Sequence, residues 1–252
     1  MAIQNFACTA CGRCCSGSLP INVAEALKRA DTFPLAMSLT PVMPSARGQK
    51  IVGRIGATVT LSKKQTVSLV VTPLSFVPSS LPCPQLSDDG LCLIHDDKPL
   101  RCRTMPFYPY KDEDAQADML VPRAGWLCDT GADAPTVYRD RRIVDRADFD
   151  AERSVLIDQA PDLQRFVDQL LQHNPPLRAQ IAQASQARVP GRVVVGFLSY
   201  VRADRSLDLI DYARRQYPVL EVWAQKTAGD PAFREFQTFY RQAMADLERY
   251  RP

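Results

Sequence analysis

Cys8-Thr9-Ala10-Cys11-Gly12-Arg13-Cys14-Cys15 places four sulfurs within eight residues near the start of the chain. The other four cysteines are Cys83, Cys92, Cys102 and Cys128, and none follows. Thiols crowded in this way serve a metal, an iron–sulfur cluster or a disulfide framework. A segment built around such ligands needs little regular structure of its own. Residues 1–20 are therefore expected to be loop, and the proline- and cysteine-dense stretch Val77 to Pro109 irregular and held by side-chain ligands.

Composition narrows the choice. With 252 residues, 46% hydrophobic and 23% charged, the chain is of ordinary globular make-up. A net charge of +3 gives no strong field for nucleic acid, and no partner of that class is expected. No apolar run approaches the roughly 20 residues of a membrane helix. The first residues, Met1 to Cys8, have neither a basic start nor an apolar core, so no secretory signal is read there and the expected compartment is the cytoplasm. Thiols stay reduced in that compartment, which sets a disulfide framework aside.

Cys8, Cys11 and Cys14 follow C-x2-C-x2-C, the spacing with which one ferredoxin loop gives three ligands to a [4Fe–4S] cluster. The fourth ligand is expected from Cys83, Cys92 or Cys102. The C-x3-C-x2-C of radical S-adenosylmethionine enzymes is absent. Neighbouring residues of an extended loop point to opposite sides, so Cys15 belongs to a second centre or is a buried thiol. Eight cysteines suffice for two four-thiolate sites, and zinc held by four thiolates, with Zn–S of about 2.3 Å, would be closed and structural. Asp89-Gly90 is a turn signal that folds Cys83 back toward Cys92 as a small hairpin.

These motifs together carry a resemblance. C-x2-C-x2-C-C, then C-P-x-L with D-G-x-C-x-I, then P-x-x-C-R and Pro106, covering about Phe6 to Pro106, resemble the bacterial cysteine-cluster family of zinc- or iron-chelating proteins. Flagellin lysine-N-methylase carries a related cluster. The resemblance implies a metal or [4Fe–4S] centre on Cys8, Cys11, Cys14, Cys15, Cys83, Cys92 and Cys102, with Cys128 a late member. Through the methylase it also implies S-adenosylmethionine-dependent methyl transfer to a protein lysine.

Several residues outside the cysteine motif carry signals of their own. Arg101 and Arg103 flank Cys102, where they could balance thiolate charge or hold an anionic cosubstrate. His95, three residues after Cys92, has ligand-compatible spacing, but relatives often hold tyrosine there. His173 reads as a helix C-terminal cap. Asp129-Thr130-Gly131-Ala132 has the look of an aspartic-protease motif, but one copy supplies one carboxylate where that chemistry needs two, so it reads as a turn. Arg139, Arg141 and Arg142 read as a solvated face. No glycine-rich phosphate loop is present.

Around the cysteines, Ile21 to Ala30 has helical spacing, a proline-containing connection follows, and Ile51 to Phe76 reads as two or three antiparallel strands. Met119 to Val121 is expected to add a short strand. Pro161 suits a first helical turn before the stripe Leu163, Phe166, Val167, Leu170 and Leu171. Arg192 to Val201 reads as a buried strand, and Phe233, Phe236, Tyr240, Met244 and Leu247 mark a last helix. The expected fold is α+β: a cysteine-cluster domain with a small antiparallel sheet over residues 1–146 and a mainly helical part over 147–252. Two functions fit: an iron–sulfur protein, with protein lysine methylation as its chemistry, or a non-enzymatic zinc-stabilised protein whose helical half binds a protein partner.

Overall fold

The computed structural model describes residues 3–43, 48–62, 65–187 and 191–250. After β1 (Ile3–Asn5) and the cysteine loop come β2 (Leu19–Pro20) and α1 (Val23–Lys28). A capping box starts α1: Asn22 Oδ1 accepts from the Glu25 amide at 2.8 Å, and Glu25 Oε2 accepts from the Asn22 amide at 3.0 Å. Next are β3 (Leu35–Val42), α2 (Val52–Ile55), β4 (Ala57–Ser62) and β5 (Gln65–Ser75). A long irregular stretch then holds only the short α3 (Leu100–Thr104) and single turns before the hairpin β6 (Thr136–Arg139) and β7 (Arg142–Ile143). The remainder is α4 (Ala147–Gln172), α5 (Pro175–Gln186), β8 (Val193–Gly196), α6 (Leu198–Ala203), α7 (Leu209–Lys226) and α8 (Arg234–Glu248).

The fold is α+β with antiparallel sheets. In the larger sheet β3 lies between β5 and β8, while β2 and β4 pair with β5. The smaller sheet has the order β1-β6-β7. The main core joins sheet residues Leu35, Met37, Leu39 and Leu69 to Phe166, Trp223 and Tyr240 of the later helices and to Phe197, which caps α6. It thus draws on both sides of residue 146. Two smaller cores lie nearer the cysteines, one with Phe6, Phe107, Tyr138 and Phe149, the other with Ile51, Ile55, Tyr110 and Leu156. α4 contributes to all three through Phe149, Leu156 and Phe166. Its 26 residues reach about 39 Å at 1.5 Å per residue, long enough to act as the spine between them.

Several expectations are corrected here. The proline-containing connection after α1 holds β3, a strand buried along nearly all its length. Covered on both faces and paired on both edges, it has no polar alternation to betray it. Ala117–Leu120 is a 3-10 turn and not a strand. Pro161 lies inside α4 and does not begin a helix. The run Arg192 to Val201 divides into β8 and α6. Among the described residues, no helix is long and apolar enough to cross a membrane.

Candidate metal centre

Backbone pairing far apart in sequence brings the cysteine segments together. The Ala7 amide donates to the Asp129 carbonyl at 2.7 Å and the Asp129 amide returns the bond at 3.0 Å. Thr9 Oγ1 donates to the Leu127 carbonyl at 3.0 Å. This two-residue ladder seats Cys8 beside Cys128, where the spacing alone points to Cys83, Cys92 or Cys102. A second bridge joins Ser16 to Pro82, and the Cys83 amide donates to the Cys15 carbonyl at 2.9 Å. Cys92 returns to this neighbourhood on the hairpin read from Asp89-Gly90: the Ser87 amide donates to the Leu91 carbonyl, and the Leu93 amide to the Gln85 carbonyl, both at 2.9 Å. Gly90 turns it with φ of 77°.

Gly12 locks loop and hairpin together. It has φ of 68°, and a Cβ there would stand 2.7 Å from the Gly90 carbonyl oxygen. Glycine satisfies both constraints; a side chain satisfies neither. Ala10 also has positive φ, at 53°. Such alternation of backbone hand turns amides inward as an anion-binding nest. Here they point at sulfur. The Ala10 amide donates to Cys8 Sγ at 3.4 Å. The amides of Arg13 and Leu127 bond to Cys11 and hold its thiol below the usual range. The Gln85 amide does the same for Cys83, where burial is the stronger effect and pushes the thiol up.

Electrostatic neighbours sort the eight sulfurs into two sets. Cys128 is pushed up by burial and by Cys11, Cys8 and Cys14. Cys102 is pushed up to about 12 by burial, then by Cys83, Cys92 and Cys14, with Arg101 opposing. Cys15 feels Cys83, Cys102 and Cys92. Cys14 and Cys15 sit where the sets meet and share a hydrogen bond in which Cys14 keeps its proton, so the Cys14 thiol is raised and the Cys15 thiol lowered. With the backbone pairings, these neighbours suggest an outer group, Cys8, Cys11, Cys14 and Cys128, and an inner group, Cys15, Cys83, Cys92 and Cys102, in contact through Cys14. All eight are free thiols. Among the described residues, no three His, Cys, Asp or Glu side chains are drawn in to metal-holding distance. The thiols share a neighbourhood, and closing them on one point requires side-chain rotation. The donor chemistry fits zinc or iron–sulfur centres: soft ligands, four to a set, with amides already aimed at three sulfurs.

The other singled-out residues have structural places. Arg101 is buried, ion-paired with Glu152 at 3.4 Å and donating to the Phe107 carbonyl. Arg103 pairs with Asp148. Both expected cosubstrate anchors are therefore engaged within the protein. Sequence reading missed Glu152, which carries no local signal of its partner. His95 is exposed at the start of the turn His95–Asp97. His173 follows α4, with Nδ1 2.9 Å from the Gln169 carbonyl. Asp129 Oδ1 accepts from the Gly131 amide at 2.8 Å, a side-chain turn. Arg139, Arg141 and Arg142 are exposed, and Arg141 pairs with Asp114 at 2.8 Å.

Comparison with known proteins bears on residues 7–123, a little under half of the chain. They match the family model CxxCxxCC, described as "Putative zinc- or iron-chelating domain". None of the curated proteins and none of the solved structures matches the chain.

Proposed function

Because residues 7–123 carry a domain of the zinc- or iron-chelating cysteine-cluster type, we propose that this protein is a metal chelator with two four-thiolate sites. The outer site uses Cys8, Cys11, Cys14 and Cys128. The inner site uses Cys15, Cys83, Cys92 and Cys102. The supporting observation is the set of amides aimed at sulfur, since an N–H dipole stabilises a thiolate and does little for a neutral thiol.

The two sites differ in kind. The outer one takes three ligands from C-x2-C-x2-C and a fourth from a distant segment, the division of labour of a [4Fe–4S] site. Cys8 and Cys14 are exposed, so this site faces outward. The inner one draws its ligands from four separate stretches of chain, which suits a closed tetrahedral zinc that cross-links them. Bound there, a cluster would supply electron-transfer or Lewis-acid chemistry, and zinc a cross-link. With Arg101 and Arg103 engaged by Glu152 and Asp148, a chelator without methylase activity is the better-supported reading.

Anaerobic purification followed by iron, sulfide and zinc analysis tests this. The expected content is about four iron, four sulfide and one zinc per chain. Two zinc and no sulfide would overturn the cluster assignment, and no bound metal would overturn the chelator.

A further inference from the structure

A small cavity lies where the start of α1, the start of α3 and the first half of α4 converge. It measures about 10 Å³, and Asn22, Glu25, Leu100, Tyr110, Glu152 and Leu156 line it. Glu152 keeps 6% of its exposure, and its Oε2 has no hydrogen-bond partner among the described residues. Arg101 keeps 5%, and its Nη1, likewise without a partner there, lies 3.4 Å from that oxygen. The two groups are near enough to attract but are not aligned to bond. Arg101 is held from other sides: it donates to the Phe107 carbonyl, and its guanidinium lies 5.7 Å from the centre of the Tyr108 ring. A buried ion pair is well tolerated only when further hydrogen bonds satisfy the atoms it leaves over.

Size and lining choose the guest. About 10 Å³ is room for one water-sized body. Two carboxylates line the space, which would invite a small cation. Yet both oxygens of Glu25 are already engaged: Oε1 accepts from the Leu100 amide at 2.7 Å and Oε2 from the Asn22 amide at 3.0 Å. Arg101 already sets a positive charge beside Glu152. What remains is an acceptor and a donor, each without a partner, 3.4 Å apart. Tyr110 adds a second donor. It is buried, its hydroxyl oxygen accepts from Thr72 Oγ1 at 3.2 Å, and its own hydrogen is left for the cavity it lines. A neutral molecule that both gives and accepts hydrogen bonds meets these demands, and at this size it is water.

We propose that this cavity is a binding site for one ordered water molecule, which accepts a hydrogen bond from Arg101 Nη1 and donates one to Glu152 Oε2. The water turns a misaligned contact into a satisfied bridge between α3 and α4. Tyr110, as third partner, ties the same molecule to β5 through Thr72. No cysteine lines the site, so the inference stands whether or not the thiols hold metal. Its consequence is a split between two substitutions of one residue. Glu152→Gln keeps an acceptor oxygen and keeps the water. Glu152→Met fills the space with an apolar chain and expels it.

Two measurements on the full chain test this. A high-resolution crystal structure is expected to show a single water within about 3.2 Å of both Glu152 Oε2 and Arg101 Nη1. In solution, oxygen-17 relaxation dispersion counts waters held far longer than those of the surface. Glu152→Met is expected to lower that count by one and Glu152→Gln to leave it unchanged, with circular dichroism checking that each variant is folded. If Glu152→Met does not fold, the crystal structure of the parent decides the matter. An aligned, direct bond between Arg101 and Glu152 beside an empty cavity would overturn the inference. So would a guest ringed by six or more oxygens at about 2.0–2.6 Å, the shell of a hard cation. An unchanged water count in folded Glu152→Met would overturn it as well.

Discussion

The Cys83 amide donates to the Cys15 carbonyl at 2.9 Å, so two thiols far apart in sequence share one rung of backbone. The Ala7–Asp129 ladder does the same for Cys8 and Cys128. Each proposed site is therefore anchored by its own strand-like contact, and the two meet only at the adjacent pair Cys14 and Cys15.

Separate anchoring predicts separable losses. Cys128→Ser is expected to remove the outer centre and spare the inner one, and Cys83→Ser the reverse. Cys14→Ser, at the junction, is expected to disturb both. Metal and sulfide content of the purified variants checks this. Loss of all metal from both Cys128→Ser and Cys83→Ser would show one shared centre.

Gly12→Ala is expected to be far more damaging than its size suggests. The left-handed backbone alone costs an L-residue about 1–2 kcal/mol, and the 2.7 Å approach to the Gly90 carbonyl adds a clash with backbone. Gly90→Ala keeps only the first cost, because nothing lies near its Cβ. Denaturant unfolding and metal content are expected to rank the parent first, Gly90→Ala second and Gly12→Ala last.

Chelation is expected to act locally. A structural zinc site contributes on the order of 10 kcal/mol to folding, and the hairpin carrying Leu91 and Leu93, both largely exposed, has little apolar burial to fall back on. Hydrogen exchange after metal removal is expected to rise across residues 83–93 and 121–129. The amides of β3, β5 and α7 are expected to keep their protection. Uniform loss across the chain would show that the metal supports the main core directly.

Gln216 gives a control remote from sulfur. It is fully buried in α7; its Oε1 accepts from the Leu35 amide at 2.7 Å, and its Nε2 donates to the carbonyls of Ala30 and Phe33 at 2.8 and 2.9 Å. Gln216→Leu strands three buried backbone groups at about 1–3 kcal/mol each. Thermal unfolding is expected to show a drop on the order of 3 kcal/mol or more, with metal stoichiometry unchanged in the folded fraction.

Much of this was legible in the sequence because the signals are local. Asp89-Gly90 announced the turn that returns Cys92 toward Cys83, and the apolar stripe from Phe236 to Leu247 marked α8. What stayed hidden is non-local. Nothing around Cys128 says that Asp129 pairs with Ala7. β3 shows no alternation because it is covered on both faces, and its stretch of chain, with Pro41 inside it, reads as a proline-containing connection. Pro161 reads as a helix start by local rule, yet packing along three cores carries α4 through it. The proposed sorting of sulfurs into two sets leans on these long-range pairings, which spacing alone could not supply.

The pairing of β3 with β8 has a consequence for the newborn chain. As synthesis proceeds, Leu35–Val42 emerges long before Val193–Gly196, the strand that covers its second edge. Roughly 150 residues separate them, about 8 to 30 seconds of translation at ~5–20 residues per second. During that interval an apolar strand waits with a bare edge, the kind of surface on which neighbouring chains join. How long that edge stays bare is therefore set by how fast the intervening chain is synthesised and brings β8 to it.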